Sequence, residues 1–268
     1  MKPVIRPDPN PISGGGLMIR AYDSGFTGAT AFFRNRSFIE TFLNSLQELN
    51  QDVRILVHAC SIGAEVWSLA AWWHHKIEPQ TGFKLQIVAV DIDKFFLSYA
   101  QESRYPLDVL KGMSPEERSW FIIKTDHLTV PESLKEMVTF IEAASFIDFS
   151  PSHKNYFFDA VTIMNALTYV TPAEQTATIK NIASYTRHAI CLTAFHPDQI
   201  FNDMSLIGFH PLMLNHQKIH DNWTERLSPA PIASESPEYS WKLPPYERQS
   251  PDYQWKYASI FVKNKDAT

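Results

Sequence analysis

An aspartate, Asp91, closes the apolar run 85–90 and is followed at once by Ile92 and Asp93. One crossover upstream, the apolar run 53–59 ends in the small-residue turn Cys60-Ser61-Ile62-Gly63, and Glu65 falls two residues later. Small residues let a backbone come close to a ligand, and an acid at the end of the next strand suits hydrogen bonds to ribose hydroxyls. The pairing points to nucleoside binding. A dinucleotide site wants G-x-G-x-x-G, because glycines must admit a pyrophosphate. Here Gly63 is the one glycine of the turn, and no G-x-x-x-x-G-K-[ST] loop for a nucleoside triphosphate occurs. A ligand with adenosine and ribose but no phosphate fits better, and S-adenosyl-L-methionine is such a ligand. A nicotinamide oxidoreductase is the weaker alternative.

The elements that must hold these residues follow from periodicity and caps. Phe38, Phe42, Leu46 and Leu49 fall on one face of an amphipathic helix expected from Thr30 to Leu49. Strand 53–59 feeds a helix over 64–76, and strand 85–91 feeds a helix over 94–103 capped by Asp93. Ser114-Pro115-Glu116-Glu117 and Thr171-Pro172-Ala173-Glu174 are capping boxes with proline at the first helical position, opening helices to about 122 and 185. A small hairpin is expected over 123–130, and strands over 137–143, 158–164 and 189–195. A helix over 198–206, stopped by Gly208, is followed by strands over 210–220 and 254–262 with no helix between them. The result is an α/β chain with a mostly parallel sheet and an antiparallel edge. We expect an N-terminal arm over 1–26 and one domain over 27–268. That domain carries a small inserted lobe at 104–136 and a Pro-rich excursion at 224–252.

Composition excludes several classes. With 268 residues, 44% hydrophobic and 20% charged, the chain can build a sizeable core. The formal charge is −5 with no basic cluster, which argues against a nucleic-acid partner. The apolar runs are strand-sized, so no membrane span is expected, and Met1–Pro11 lacks the apolar core of a signal peptide. Cys60 and Cys191 read as buried thiols, consistent with a cytoplasmic setting. No metal site is expected from His210, His216 and His220.

Five segments, in order, resemble the CheR family of chemotaxis-receptor glutamate methyltransferases. Thr30-Ala31-Phe32-Phe33-Arg34 is similar to T-x-F-F-R. Ala59-Cys60-Ser61-Ile62-Gly63-Ala64-Glu65-Val66-Trp67-Ser68 is similar to G-C-S-T-G-E-E-P-Y-S. Ala89-Val90-Asp91-Ile92-Asp93 resembles A-T-D-I-D, and Arg104-Tyr105-Pro106 with Leu110–Glu116 resembles the family's Y-P…L-R-G-L-P-P-E linker. Phe158–Tyr169 resembles F-D-A-I-F-C-R-N-V-L-I-Y.

The resemblance implies a class I methyltransferase fold, a Rossmann-like seven-stranded sheet with one antiparallel strand, and S-adenosyl-L-methionine as cofactor. It places Thr30 and Arg34 beside the methionine end and the acceptor, and Glu65 near the methionine amino group. Ser61 and Gly63 lie in the cofactor turn, and Asp91 holds the ribose. Ala144 and Ser145 flank the adenine, Met164 and Asn165 form the floor, and Tyr169 faces the acceptor. Arg34 and Tyr169 are the implied catalytic pair. The chain departs from the pattern at Gly28, Ala64, Ala144 and Met164. The family's N-terminal receptor-docking domain has no counterpart ahead of the F-F-R motif, so a small-molecule or glycan acceptor is favoured over a protein carboxylate. A hydroxyl acceptor would need a base, for which His196, His220 and Asp221 are candidates. A non-catalytic cofactor-binding protein is the remaining alternative.

Overall fold

The computed structural model describes residues 5–7, 17–20, 27–141, 145–151, 156–167, 170–193, 197–216, 218, 219, 222 and 259–263. Ala144, Tyr169, His196, His220, Asp221 and the Pro-rich excursion lie outside the described residues. The chain divides into two units, Met1–Phe146 and Ile147–Thr268.

The first unit opens differently from the expected arm. Strands β1 (Ile5–Pro7), β2 (Leu17–Arg20) and β3 (Thr27–Thr30) pair antiparallel in that order. Backbone pairing of this kind needs no side-chain period, so it left no mark in the sequence. Helix α1 (Arg36–Gln47) starts later than expected. Phe33 sits at φ 48, a left-handed conformation that a helix cannot contain, and Asn35 caps the true start by accepting from the Phe38 N–H at 3.0 Å. Phe38, Phe42 and Leu46 are buried as the periodicity required, and Leu49 lies past the helix end.

Strand β4 (Val53–His58) leads into α2 (Ala64–Trp72). The helical path continues as a π turn over Trp73–Ile77 and as α3 (Glu78–Thr81), ending at Gly82 with φ 74. Strand β5 (Leu85–Val90) runs parallel to β4, with Val57 opposite Ala89. Both strands are apolar almost throughout because both faces are covered. Helix α4 (Lys94–Glu102) starts at Asp93, whose carboxylate accepts from the Phe95 and Phe96 amides.

The inserted lobe holds β6 (Arg104–Pro106), a 3-10 turn (Leu107–Gly112) and α5 (Pro115–Ser119). It continues through β7 (Ile122–Ile123), β8 (His127–Thr129) and α6 (Glu132–Lys135). Its strands pair antiparallel in the order β6-β8-β7, and the Ser114 capping box is complete. Strand β9 (Val138–Ile141) then pairs parallel with β5. The guanidinium of Arg36, at the head of α1, grips both carboxylate oxygens of buried Glu117 in the lobe at 2.6 Å and also donates to the Gly112 carbonyl.

The second unit contains β10 (Phe158–Ile163), α7 (Pro172–Ser184), β11 (Thr186–Leu192), α8 (Pro197–Leu206), β12 (Phe209–Pro211) and β13 (Ile260–Lys263). Strands β10 and β11 are parallel, β13 is antiparallel to β11, and β12 is antiparallel to β13. The Thr171 capping box is complete. The strand expected to reach residue 220 stops at Pro211, and the chain then passes through turns and short helical pieces with Asn215 at φ 56. The main sheet has seven strands, mostly parallel, with β13 running against both its neighbours, β11 and the edge strand β12: a Rossmann-like arrangement. Trp67, Trp73 and Phe42 anchor the core of the first unit, and Phe158, Phe209 and Phe261 that of the second. Among the described residues, no helix is long and apolar enough to cross a membrane.

Candidate cofactor site

The turn between β4 and α2 is built against its own conformational preference. Ala59 (φ 51) and Ser61 (φ 50) both occupy the left-handed region, and Gly63 (φ 83) follows them. Each non-glycine residue there costs about 1–2 kcal/mol, so surrounding contacts must hold it. The Cys60 amide donates to the Val90 carbonyl at 3.0 Å, and the Gly63 amide returns to the Cys60 carbonyl at 2.9 Å. The Ser61 amide donates to Asp91 Oδ2 at 2.7 Å. Gly63 is needed for space as well as for φ. A Cβ at this position would lie 3.0 Å from both Ala100 Cβ and Trp67 Nε1.

Asp91 is 6% exposed, and its other oxygen accepts from the Asp93 amide at 2.9 Å. Burial pushes its pKa above the ordinary 3.8, and the amide hydrogen bonds from Asp93 and Ser61 offset part of that rise. A carboxylate has about four acceptor positions, so both oxygens retain capacity for hydroxyl donors. Cys60 is also buried. Desolvation raises its thiol pKa well above 9.0, and the charges of Asp91 and Glu65 raise it further. The thiol is therefore neutral and no nucleophile, and the turn sits in a negative field from two carboxylates. Such a field opposes a pyrophosphate and favours a cationic ligand.

The Phe33 amide donates to Ser68 Oγ at 2.9 Å, and Ser68 in turn donates to the Ala64 carbonyl at 2.7 Å. This docks the Thr30–Arg34 segment on the first turns of α2. Phe32 packs edge-on against Tyr105 and Phe121, and Phe33 against Trp120, while Thr30 and Arg34 are half-buried at the two ends of the segment. Within the first unit, then, Ser61 and Gly63 lie in one turn, Glu65 is in the first turn of the helix that follows, Asp91 is hydrogen-bonded to the turn from the end of β5, and Thr30 and Arg34 belong to a segment fixed on that helix. Ser145 is half-buried near the end of this unit.

Met164 and Asn165 belong to the second unit, just past β10. Met164 is 7% exposed. Asn165 stands at φ 57; its amide donates to Thr193 Oγ1 at 2.7 Å, and the Thr193 hydroxyl donates to Asn165 Oδ1 at 3.2 Å.

Two residues at the turn and one at the head of α1 escaped the sequence reading. Ile92 is 56% exposed immediately after Asp91, an apolar surface beside the acid; an apolar residue between two acids at a strand end was the available signal. Tyr105, completely buried, reaches the turn from β6, and Arg36 locks the lobe to α1. Their partners lie 43 and 81 residues away, beyond any local pattern.

The residues present fit S-adenosylmethionine. Ser61 Oγ is buried with no hydrogen-bond partner, Asp91 keeps acceptor capacity, Ile92 offers an apolar surface, and the carboxylates suit a cation.

The family model described as the CheR methyltransferase, SAM binding domain, matches residues 28–209, more than half of the chain. A chemotaxis protein methyltransferase from Borreliella burgdorferi is 26% identical over 207 residues, covering 72% of this chain and 72% of the relative. Among solved structures, magnesium protoporphyrin IX methyltransferase from Synechocystis PCC 6803 with bound SAM shares 14% identity. It covers 66% of this chain and 71% of its own, with a TM-score of 0.37. The N-methyltransferase NodS from Bradyrhizobium japonicum WM9 shares 11% identity over 66% of this chain and 76% of its own, with a TM-score of 0.40. Overlaps this loose add nothing to the family match.

Proposed function

The chain belongs to the CheR methyltransferase family and is an S-adenosylmethionine-dependent methyltransferase, and from that premise we propose that it methylates a carboxylate oxygen held by Arg34. When bound, the cofactor supplies an electrophilic methyl group on a sulfonium. The chain's own task is alignment. Asp91 accepts hydrogen bonds from the ribose hydroxyls, Ser61 Oγ gains the partner it lacks, and Ile92 covers the adenine. Glu65 and Asp91 favour the positive charge electrostatically. Ala144, Ser145, Met164 and Asn165 are proposed for the remaining cofactor contacts.

The single observation that carries the acceptor reading is the docking of the F-F-R segment on α2 through Phe33 and Ser68. It fixes the backbone of Arg34 relative to the helix that starts at the cofactor turn. A guanidinium offers two parallel donors to a carboxylate. A carboxylate is already anionic near neutral pH, so the step needs no general base. Thr30 and Tyr169 are proposed to complete the acceptor side. The carboxylate's carrier, a small molecule, a glycan uronate or a protein glutamate, is left to the assay. The Borreliella relative's name supports the last, and free, buried Cys60 and Cys191 suit cytoplasmic work.

The test is methyl transfer to a uronate, to a glutamyl peptide and to a neutral sugar by wild type and by Arg34→Ala. The variant should keep S-adenosylhomocysteine affinity within about threefold while carboxylate turnover falls about 100-fold, the worth of a charged hydrogen-bond pair. Transfer to the neutral sugar alone, unaffected by the substitution, would refute the carboxylate reading. Cofactor binding without turnover on any acceptor would favour a non-catalytic role.

A further inference from the structure

We propose that Tyr105 is a positioning residue for the cofactor turn, tying the inserted lobe to the peptide plane between Ile62 and Gly63. Its hydroxyl accepts from Trp67 Nε1 at 2.8 Å and donates to the Ile62 carbonyl at 2.6 Å. One oxygen thus joins three elements: β6 of the lobe, the turn itself and α2. The Ile62–Gly63 peptide is gripped on both edges, its carbonyl by Tyr105 and its amide by the Cys60 carbonyl. Were Gly63 to carry a Cβ, that atom would lie 3.3 Å from the same tyrosine oxygen.

The strain in the turn makes this more than core packing. Ala59 and Ser61 hold left-handed conformations that persist only where neighbours over-determine them. Asp91 restrains the turn at Ser61, and Tyr105 restrains it at Ile62. Without the phenol oxygen, Ile62 and the Trp67 indole are left as unpaired buried groups, and the turn gains a route to relieve its strain. Tyr105 is fully buried and its ring packs edge-on with Phe32 and Tyr99, so Tyr105→Phe keeps the packing and removes the two hydrogen bonds alone.

This inference rests on S-adenosylmethionine binding at the turn. Calorimetry with S-adenosylhomocysteine should show about a tenfold weaker Kd for Tyr105→Phe, the scale of one buried hydrogen-bonding group left unpaired. Amide exchange at Ser61 and Gly63 should quicken in the variant, with α7 unchanged. In the wild type, ligand should slow exchange of the Trp67 indole N–H and the Gly63 amide together, a measurement that stands even if the variant fails to fold. A variant with a lowered Tm but wild-type Kd would make Tyr105 structural and overturn the proposal, as would indole exchange indifferent to ligand. Wild-type protein that binds no S-adenosylhomocysteine would overturn the cofactor reading itself, and this one with it.

Discussion

Two turns at strand ends solve one backbone problem in different ways. After β4, left-handed Ala59 and Ser61 are held by groups from elsewhere: Asp91 after β5, Tyr105 in the lobe, and the space kept by Gly63. After β10, left-handed Asn165 is a residue type that tolerates the conformation, and Thr193 closes it from just past β11. The first turn is strained and over-determined, and the second is relaxed and, among the described residues, held by Thr193. Strain held by several elements marks the place where geometry has to be kept for a ligand. A turn of a tolerant residue type, held by one hydroxyl, can adjust to whatever Met164 and Asn165 meet without losing its fold.

That contrast can be broken by substitution. The largest effect is expected at Gly63→Ala. The left-handed φ costs about 1–2 kcal/mol, and crowding against Ala100 and Trp67 adds about 1–3 kcal/mol. Calorimetry should find S-adenosylhomocysteine binding lost, with Tm lowered; retained affinity would show the turn to be tolerant. Asp91→Asn comes next, because one of the two amide donors loses its acceptor and the charge disappears. Affinity should fall about tenfold.

The pH dependence sharpens this case. Ribose hydroxyls donate to the ionised carboxylate, so wild-type affinity should be flat near neutrality and fall as the pH drops through Asp91's pKa. Burial has raised that pKa, so the fall should begin at higher pH than for an ordinary aspartate at 3.8. The Asn variant should lack this step, and an identical pH profile would remove Asp91 from the site. The smallest effect belongs to Thr193→Val. It should cost about 1 kcal/mol of stability and leave affinity within about twofold. A loss of binding equal to that of Asp91→Asn would erase the distinction between the turns.

What the sequence disclosed follows the same division. Asp93, Ser114 and Thr171 were readable as caps because a cap is a local event, with its partner two or three residues away. The β/α crossovers were readable because strands buried on both faces are written as unbroken apolar runs. The acidic strand end and the glycine turn were legible as types, and the structure joins them through Ser61 and Asp91. Tyr105 and the Arg36–Glu117 grip were not legible, because each matches residues far apart in the chain and neither alters a period. The backbone pairing of β1, β2 and β3 was equally silent, and the late start of α1 turned on the one conformation of Phe33.

The grip of Arg36 on Glu117 has a consequence for anyone exchanging parts between relatives. The head of α1 is fastened to the lobe by a guanidinium and a carboxylate that meet in two parallel bonds. A graft that imports a foreign lobe without an acid at position 117 would strand that guanidinium, and one that imports a foreign α1 would strand the acid in a buried setting. The two segments are therefore a single unit of exchange, to be swapped together or left alone.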